Sequence, residues 1–390
     1  MPVINRIAEY TPEMTGWRRE LHENPELGFQ EARTSAFVAA KLASWGIEVH
    51  RGIAGTGLVG VLRGQGDSRR SIGLRADMDA LPMEEANSFA HASKVPGRMH
   101  ACGHDGHTAT LLGAAKYLAE TRNFSGTVNF IFQPAEEGGG GGRVMVEEGL
   151  FERFPCDAVY GIHNAPDLPL GTASVVDGTI MAASDRIYIT IQGYGGHAAK
   201  PHLAIDPVMV GAQVMVALQA IVARRTDPLD SAVISICQFH AGSANNVIPD
   251  VAELSGTVRT LQPGTRDLME KLIAQVTEAT AAAHGASALV RYERLYPPCT
   301  NHTEQTDKAA RAAARVLGET GVKRDLPPLM GGEDFSFMLL ERPGCFVFMG
   351  QAGAERGAVP VHHPEYDFND DMLPVGASYF ATLVEQELPR

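Results

Sequence analysis

A chain of 390 residues is more than twice the roughly 150 residues of a common domain, so two domains and a sizeable core are expected. Its 33 Lys and Arg against 46 Asp and Glu leave a formal charge of −13, which excludes the basic footprint of a nucleic-acid binder or of a protein held on an anionic membrane surface. With 44% hydrophobic and 20% charged residues, the composition is globular, and disorder is excluded.

Apolar residues recur at helical spacing over 7–21 and over 32–42, the second stretch closed by Gly46. Strand-like runs follow at 58–62 and 72–76, then a helix over 108–121 and strands over 127–132 and 158–162. Strands and helices alternating in this way predict a largely parallel sheet covered on both faces. From about Ser184 the order becomes strand (186–192), helix (208–223), strands (232–240 and 251–260), helix (265–284) and strand (288–293). This is the β-α-β-β-α-β order of a ferredoxin-like sandwich. The α/β texture returns with a helix over 307–317, another beginning near Glu333, a strand over 345–349 and a closing helix from Leu373. The expected organisation is a discontinuous α/β domain, 1–183 and 295–390, interrupted by an α+β domain over 184–294.

No basic cap leads into an apolar segment at the start of the sequence, so a secretory signal is not expected. The apolar stretch 208–223 contains Gln213 and Gln219 and is short for a membrane span, which predicts a buried helix of a soluble protein. Five scattered cysteines without a C-x-x-C pair fit a reducing compartment, and a cytoplasmic location is expected.

The chemistry concentrates in a few segments. His100-Ala-Cys102-Gly-His104-Asp105-Gly-His107 packs a soft thiol and imidazoles just ahead of the 108–121 helix, a donor set suited to zinc or a neighbouring first-row ion. Glu136 and Glu137 follow the 127–132 strand and precede five glycines. Adjacent carboxylates at a strand end repel unless a cation is near, and function in open α/β sheets lies beyond such ends. A phosphate loop is disfavoured there, because no Gly-Lys-Ser/Thr follows. His163, placed just after the 158–162 strand, and His362 with His363 add imidazoles. Taken singly, each of these residues is as readily an ordinary loop or surface group. Together the segments supply five plausible donors, too many for one tetrahedral ion but suited to two ions sharing ligands. Asp77 and Asp79 follow another strand and are placed to orient metal-binding histidines.

In order along nearly the whole chain, nine segments resemble the hippurate hydrolase branch of the aminoacylase and carboxypeptidase G type metallohydrolases. They are RRELHENPELGFQE (18–31), GLRADMDALP (73–82), MHACGHDGH (99–107), QPAEEGGGG (133–141), GIHN (161–164), GYGGHAAKPH (193–202), ANNVIPD (244–250), GGEDFS (331–336) and HHPEYDFND (362–370). The resemblance implies a zinc-peptidase-like α/β catalytic domain with a mostly parallel central sheet and an inserted ferredoxin-like lid. It implies two divalent ions (Zn, Mn, Co or Ni) on Cys102, His104, Glu137, His163 and His362, with Glu136 as general base. Asp77 stands where the related peptidases carry a ligand histidine, Cys102 supplying a donor instead. His363 stands where the pattern has Asn or Ser, and His362 is taken as the ligand by position. His197 resembles a histidine that family dimers project into the partner's site to stabilise the oxyanion, while Asn246 and Arg259 resemble substrate-binding positions, Arg259 being suited to grip a carboxylate bidentately. An interdomain hydrogen bond, a turn and a surface ion pair are the plainer readings of these three. The implied activity is hydrolysis of small N-acyl amino acids by a homodimer or homotetramer joined through the lid. A dipeptidase or carboxypeptidase on the same metals and a non-catalytic ligand-binding relative are the alternatives.

Overall fold

The computed structural model describes residues 3–354 and 356–390, and they divide into two compact units. The larger comprises the residues up to Gly178 together with Thr300–Pro327 and Asp334–Arg390, and the smaller comprises Thr179–Cys299 and Pro328–Glu333. The smaller unit is wider at both ends than the 184–294 span expected from sequence, and it takes in a second short segment.

The larger unit is built on an eight-stranded sheet in the order Glu48–Ile53, Gly57–Arg63, Ser125–Gln133, Gly66–Asp77, Ala158–Pro169, Gly344–Ala352, Ala173–Ser174, Val322–Lys323. The four strands from Ser125–Gln133 to Gly344–Ala352 are mutually parallel. Antiparallel pairings flank them on both sides, so the sheet is mixed and the expected parallel set is its centre. Side chains pointing to both faces are buried there, including Ile72, Leu74, Val128, Phe130, Val159 and Tyr160, as a sheet covered on both sides requires. Burial of each large apolar side chain contributes about 1.5–3 kcal/mol.

Several boundaries differ from the sequence expectation, each for a physical reason. The helix expected over 7–21 is two helices, Asn5–Glu9 and Thr11–Glu23, because Pro12 lacks the N–H needed to continue the first. The strand Glu48–Ile53 was not expected, being an edge strand with mostly exposed or half-exposed positions and no apolar run. The helix expected from Thr108 begins at His104. Its first turn, His104 to His107, is fully buried, and tertiary packing overrides the weak helix preference of these residues. The strand expected to end at Ile162 continues to Pro169, which puts His163 inside it, opposite Phe348.

The smaller unit contains an antiparallel sheet ordered Ala232–Ala241, Val251–Thr260, Ala183–Gln192, Ser287–Tyr296. Ile187, Ile189 and Ile191 alternate toward one face and share a core with Val214 and Leu218 of the helix Pro207–Arg225 and with Met269 and Ile273 of the helix Pro263–Ala283. The helix Pro207–Arg225 has 19 residues and is apolar and long enough, by length and composition alone, to cross a bilayer, which corrects the expectation of a short one. It is also not buried all round: Val210, Val214, Leu218 and Ile221 form the buried stripe, while Val216 is 71% exposed. A helix laid on a sheet buries one face only.

Candidate active site

The parallel centre of the sheet delivers the chemistry at one end. Asp77 closes the strand Gly66–Asp77 and is in register with Gln133, which closes its parallel neighbour. The segment from Pro134 to Glu137 therefore leaves the sheet beside Asp77 and Asp79. Ala135 adopts a left-handed backbone (φ 52°), and a Cβ on Gly141 would lie 1.7 Å from the Pro134 carbonyl oxygen. Only glycine permits this tight return, and a strained non-glycine residue at its start is typical of functional sites. Asp79 then pins both glutamates, accepting the backbone N–H of Glu136 at 3.0 Å and of Glu137 at 2.9 Å. The same carboxylate lies 3.2 Å from His104 Nδ1, so one buried aspartate orients three members of the cluster.

Cys102 and His104 flank Gly103, whose φ of 98° starts the helix His104–Thr121. A Cβ on Gly103 would lie 2.3 Å from Asn164 Oδ1, so the Cys102–His104 turn is packed directly on the residue after His163. Cys102 Sγ is 3.4 Å from His163 Nε2. His362, also left-handed at φ 63°, donates its backbone N–H to Ala101 O at 2.7 Å and brings Nε2 to 3.1 Å from Glu137 Oε1. Both histidines are exposed, but the His363 Nδ1 accepts the backbone N–H of Glu365 at 3.1 Å whereas His362 faces Glu137, so of the two neighbours His362 is the one at the cluster. Donor atoms of Cys102, His104 and His163 lie within 4.8 Å of one another, as do those of Cys102, Glu137 and His362 and those of His104, Glu136 and Glu137. The fold thus gathers all six residues singled out for metal binding and proton transfer.

This cluster fits divalent cations. His104 Nε2 is buried without a hydrogen-bond partner, a cost of about 1–3 kcal/mol for an isolated protein group that a ligand would relieve. Burial, reinforced by Glu137, pushes the Cys102 thiol well above its ordinary value, so the thiol needs a cation to ionise. Burial and then His107 push His163 down to about 3, leaving it neutral, the form that ligates metals. Burial opposes a charge on His104, yet Asp77 and Asp79 hold it well above its usual value. One sulfur, imidazole nitrogens and carboxylate oxygens together match first-row transition ions better than Mg²⁺ or Ca²⁺.

A second layer of buried charge supports these groups. Arg75 donates to Asp77 Oδ2 at 2.7 Å, to Asp334 Oδ1 at 3.1 Å and to Gln133 Oε1 at 2.9 Å. Asp334 also accepts the Gly142 N–H at 2.8 Å, tying the far end of the glycine run. Burial alone would raise Asp77, but His104, Arg75 and His107 hold it well below the usual carboxylate range. Breaking a buried pair of this kind costs about 3–5 kcal/mol. His107 spans Asp77 Oδ1 (2.6 Å) and Asn164 Oδ1 (2.8 Å), and Asn164 Nδ2 donates to Tyr366 Oη at 2.8 Å. Sequence reasoning misses Arg75, Asn164 and Asp334, and it includes His107 only as one imidazole of the 100–107 cluster. Their membership of the GLRADMDALP, MHACGHDGH, GIHN and GGEDFS segments was the available signal.

His197, Asn246 and Arg259 belong to the smaller unit. His197 is exposed and pairs with Val247 in a two-residue ribbon. Asn246 lies beside it, its carbonyl accepting the Ala198 N–H at 3.1 Å. His197 Nδ1 accepts the Ala199 N–H at 3.0 Å, which places the proton of the neutral ring on Nε2 and makes that atom a donor. Arg259 lies near the other end of the strand Val251–Thr260, about 26 Å from Val251 at 3.3 Å per residue, with Nη1 donating to Val258 O at 3.0 Å. Within this unit, then, His197 and Asn246 are together and Arg259 is not with them.

Comparison with known proteins adds an independent line. The sequence profile of peptidase family M20/M25/M40 matches residues 73–386. The chain is similar to a hippurate hydrolase of Campylobacter jejuni, 43% identical over 383 residues and covering 98% of each chain. It is also similar to an N-acetylcysteine deacetylase of Bacillus subtilis, 42% identical over 368 residues and covering 94% of each. Among solved structures, YXEP of Bacillus subtilis, described as a dinuclear metal-binding peptidase of the M20 family, superposes with a TM-score of 0.85 at 38% identity, covering 98% of this chain and 99% of that one.

Proposed function

The chain belongs to peptidase family M20/M25/M40, and from that membership we propose that it is a metal-dependent amidohydrolase cleaving N-acyl amino acids to a carboxylic acid and a free amino acid. The observation that carries the reading is the gathering of Cys102, His104, Glu136, Glu137, His163 and His362 at one end of the sheet. Cys102, His104, Glu137, His163 and His362 would hold two divalent ions, and Glu136 remains as the proton carrier. When bound, the ions would supply Lewis acidity, lowering the pKa of water toward neutrality and polarising the amide carbonyl.

The remaining work falls to side chains. Glu136, buried and held through its backbone by Asp79, accepts the proton that the attacking water loses. It returns that proton to the amide nitrogen, so the C–N bond breaks with departure of a neutral amine. His197 Nε2–H donates to the carbonyl oxygen as it gains charge. Arg259 offers a guanidinium to the carboxylate of the amino acid, and Asn246 adds a polar contact. His197 and Asn246 lie at the two-residue ribbon ahead of the strand Val251–Thr260 and Arg259 toward that strand's far end, a separation that supports a shared site in which two subunits contribute different residues. A homodimer or homotetramer joined through the smaller unit is therefore part of the proposal. The five cysteines are all free, which supports a cytoplasmic location; cell fractionation finding the protein outside the cytoplasm would overturn that placement.

A substrate panel tests the reaction. N-acetyl and N-benzoyl amino acids and N-acetyl-diaminopimelate are expected to be hydrolysed with kcat/KM at least about tenfold above matched dipeptides bearing a free amino terminus, since a charged ammonium at the acyl end carries an added desolvation cost. A dipeptide preferred over every N-acyl compound would replace this reading with a dipeptidase. For the shared site, His197→Ala is expected to lose about 10²- to 10³-fold in kcat. Mixed dimers of His197→Ala and Glu136→Gln subunits should recover part of the wild-type rate. Verified mixed dimers with no recovery would show that each subunit is self-sufficient.

A further inference from the structure

The segment RRELHENPELGFQE contributes none of the proposed ligands, yet it places a complete cation inside the larger unit. Arg18 and His22 lie one helical turn apart on Thr11–Glu23 and therefore on one face, and both side chains have no exposure. Arg18 Nε donates to Asp370 Oδ1 at 2.8 Å and Nη1 to Asp367 Oδ1 at 2.9 Å, with Nη1 also 3.6 Å from Asp105 Oδ2. His22 Nδ1 lies 2.8 Å from Asp105 Oδ2 and Nε2 3.2 Å from Glu85 Oε1. Arg19 adds contacts to Asp370 Oδ2 at 3.1 and 2.8 Å. His91 Nε2 approaches Arg18 Nη2 at 3.3 Å.

The acceptors are significant for where they sit in the chain. Asp105 follows His104 in the first turn of its helix. Asp367 and Asp370 lie on the segment that begins with His362 and includes Tyr366, which is bonded to Asn164 beside His163. One buried guanidinium thus bridges two of the separate segments that deliver donors. A buried charge must keep its partners, so carboxylates deprived of it would separate and carry their backbones with them.

Resting on the proposal that the cluster holds metal, we infer that Arg18 and His22 are positioning residues, Arg18 setting the spacing between the His104 and His362 ends of the donor cluster and His22 holding Asp105 at the His104 end. Lysine at position 18 keeps the charge but cannot fork to Asp367 and Asp370 together. Asparagine at position 22 keeps a donor toward Asp105, whereas leucine removes it.

The test uses Co²⁺ on the full chain, reading the visible Co²⁺ absorption spectrum and the cobalt Kd by competition with a chromophoric chelator, with circular dichroism as the check on folding. Arg18→Lys and His22→Leu are expected to weaken cobalt binding about tenfold or more, the scale seen for groups that orient metal ligands, and to shift the absorption bands. His22→Asn is expected to restore both toward wild type. A purely structural role would lower the melting temperature and leave spectrum and Kd unchanged. If wild type binds cobalt while folded Arg18→Lys and His22→Leu proteins match it, the inference is overturned and the metal reading stands. If wild type binds none, the metal reading falls and this inference with it. Should Arg18→Lys fail to fold, Asp367→Asn, which takes one carboxylate from the fork, decides the matter by the same readouts.

Discussion

Glu136→Gln is expected to lower kcat by about 10²- to 10⁴-fold, the range for loss of a positioned acid–base group, while both ions remain bound. Glutamine matches glutamate in size and can keep the hydrogen bonds of the site, but its amide cannot take up the proton released by water. The backbone of Glu136 is held by Asp79, so the turn itself is unaffected. The adjacent residue provides the internal control. Glu137 Oε1 faces His362 Nε2 at 3.1 Å and shares a donor set with Cys102, so Glu137→Gln is expected to lose metal before it loses anything else. Elemental analysis beside an assay of amine release separates the two outcomes. Near-normal turnover by Glu136→Gln, or loss of its metal, would remove Glu136 as the proton carrier.

Exhaustive chelation is expected to abolish turnover altogether, with activity returning on addition of Mn²⁺, Co²⁺, Ni²⁺ or Zn²⁺ and not of Mg²⁺ or Ca²⁺. The donor chemistry dictates this order. Cys102 contributes a sulfur whose burial holds its proton firmly, and only a cation with affinity for thiolate offsets that cost. His163 is neutral and ready as a nitrogen donor. Cys102→Ser, which substitutes a hard oxygen, is expected to shift the restoring ions toward the harder end of this series and to reduce the rate at least about tenfold. Full turnover in a preparation shown to be metal-free would end the metal proposal, and equal restoration by Mg²⁺ would end the assignment of Cys102.

Much of this was readable before any fold was known, because the informative patterns are local. Alternation of apolar residues in 186–192 and 251–260 separates the smaller unit from its surroundings, and the close spacing of Cys102 with His104 and of Glu136 with Glu137 marks ligand-type chemistry. The misplacements have local causes too. His104 to His107 have weak helix preference and become helical because they are buried, and the strand through His163 is extended by its pairing with Gly344–Ala352.

By itself the sequence determined the α/β class, the ferredoxin-like order of the smaller unit and the clustering of donor-type residues near one another in the chain, since periodicity and residue type are properties of neighbours in the chain. Only the tertiary structure showed which histidine of the 362–363 pair faces Glu137: it is His362, on a left-handed backbone. Only the tertiary structure, likewise, assigned partners to the buried charges. Arg18 meets Asp370 across 352 positions, and Arg75 meets Asp334 across 259. No periodicity reports such pairs. They exist because a charge removed from water must find its complement wherever the folded chain passes.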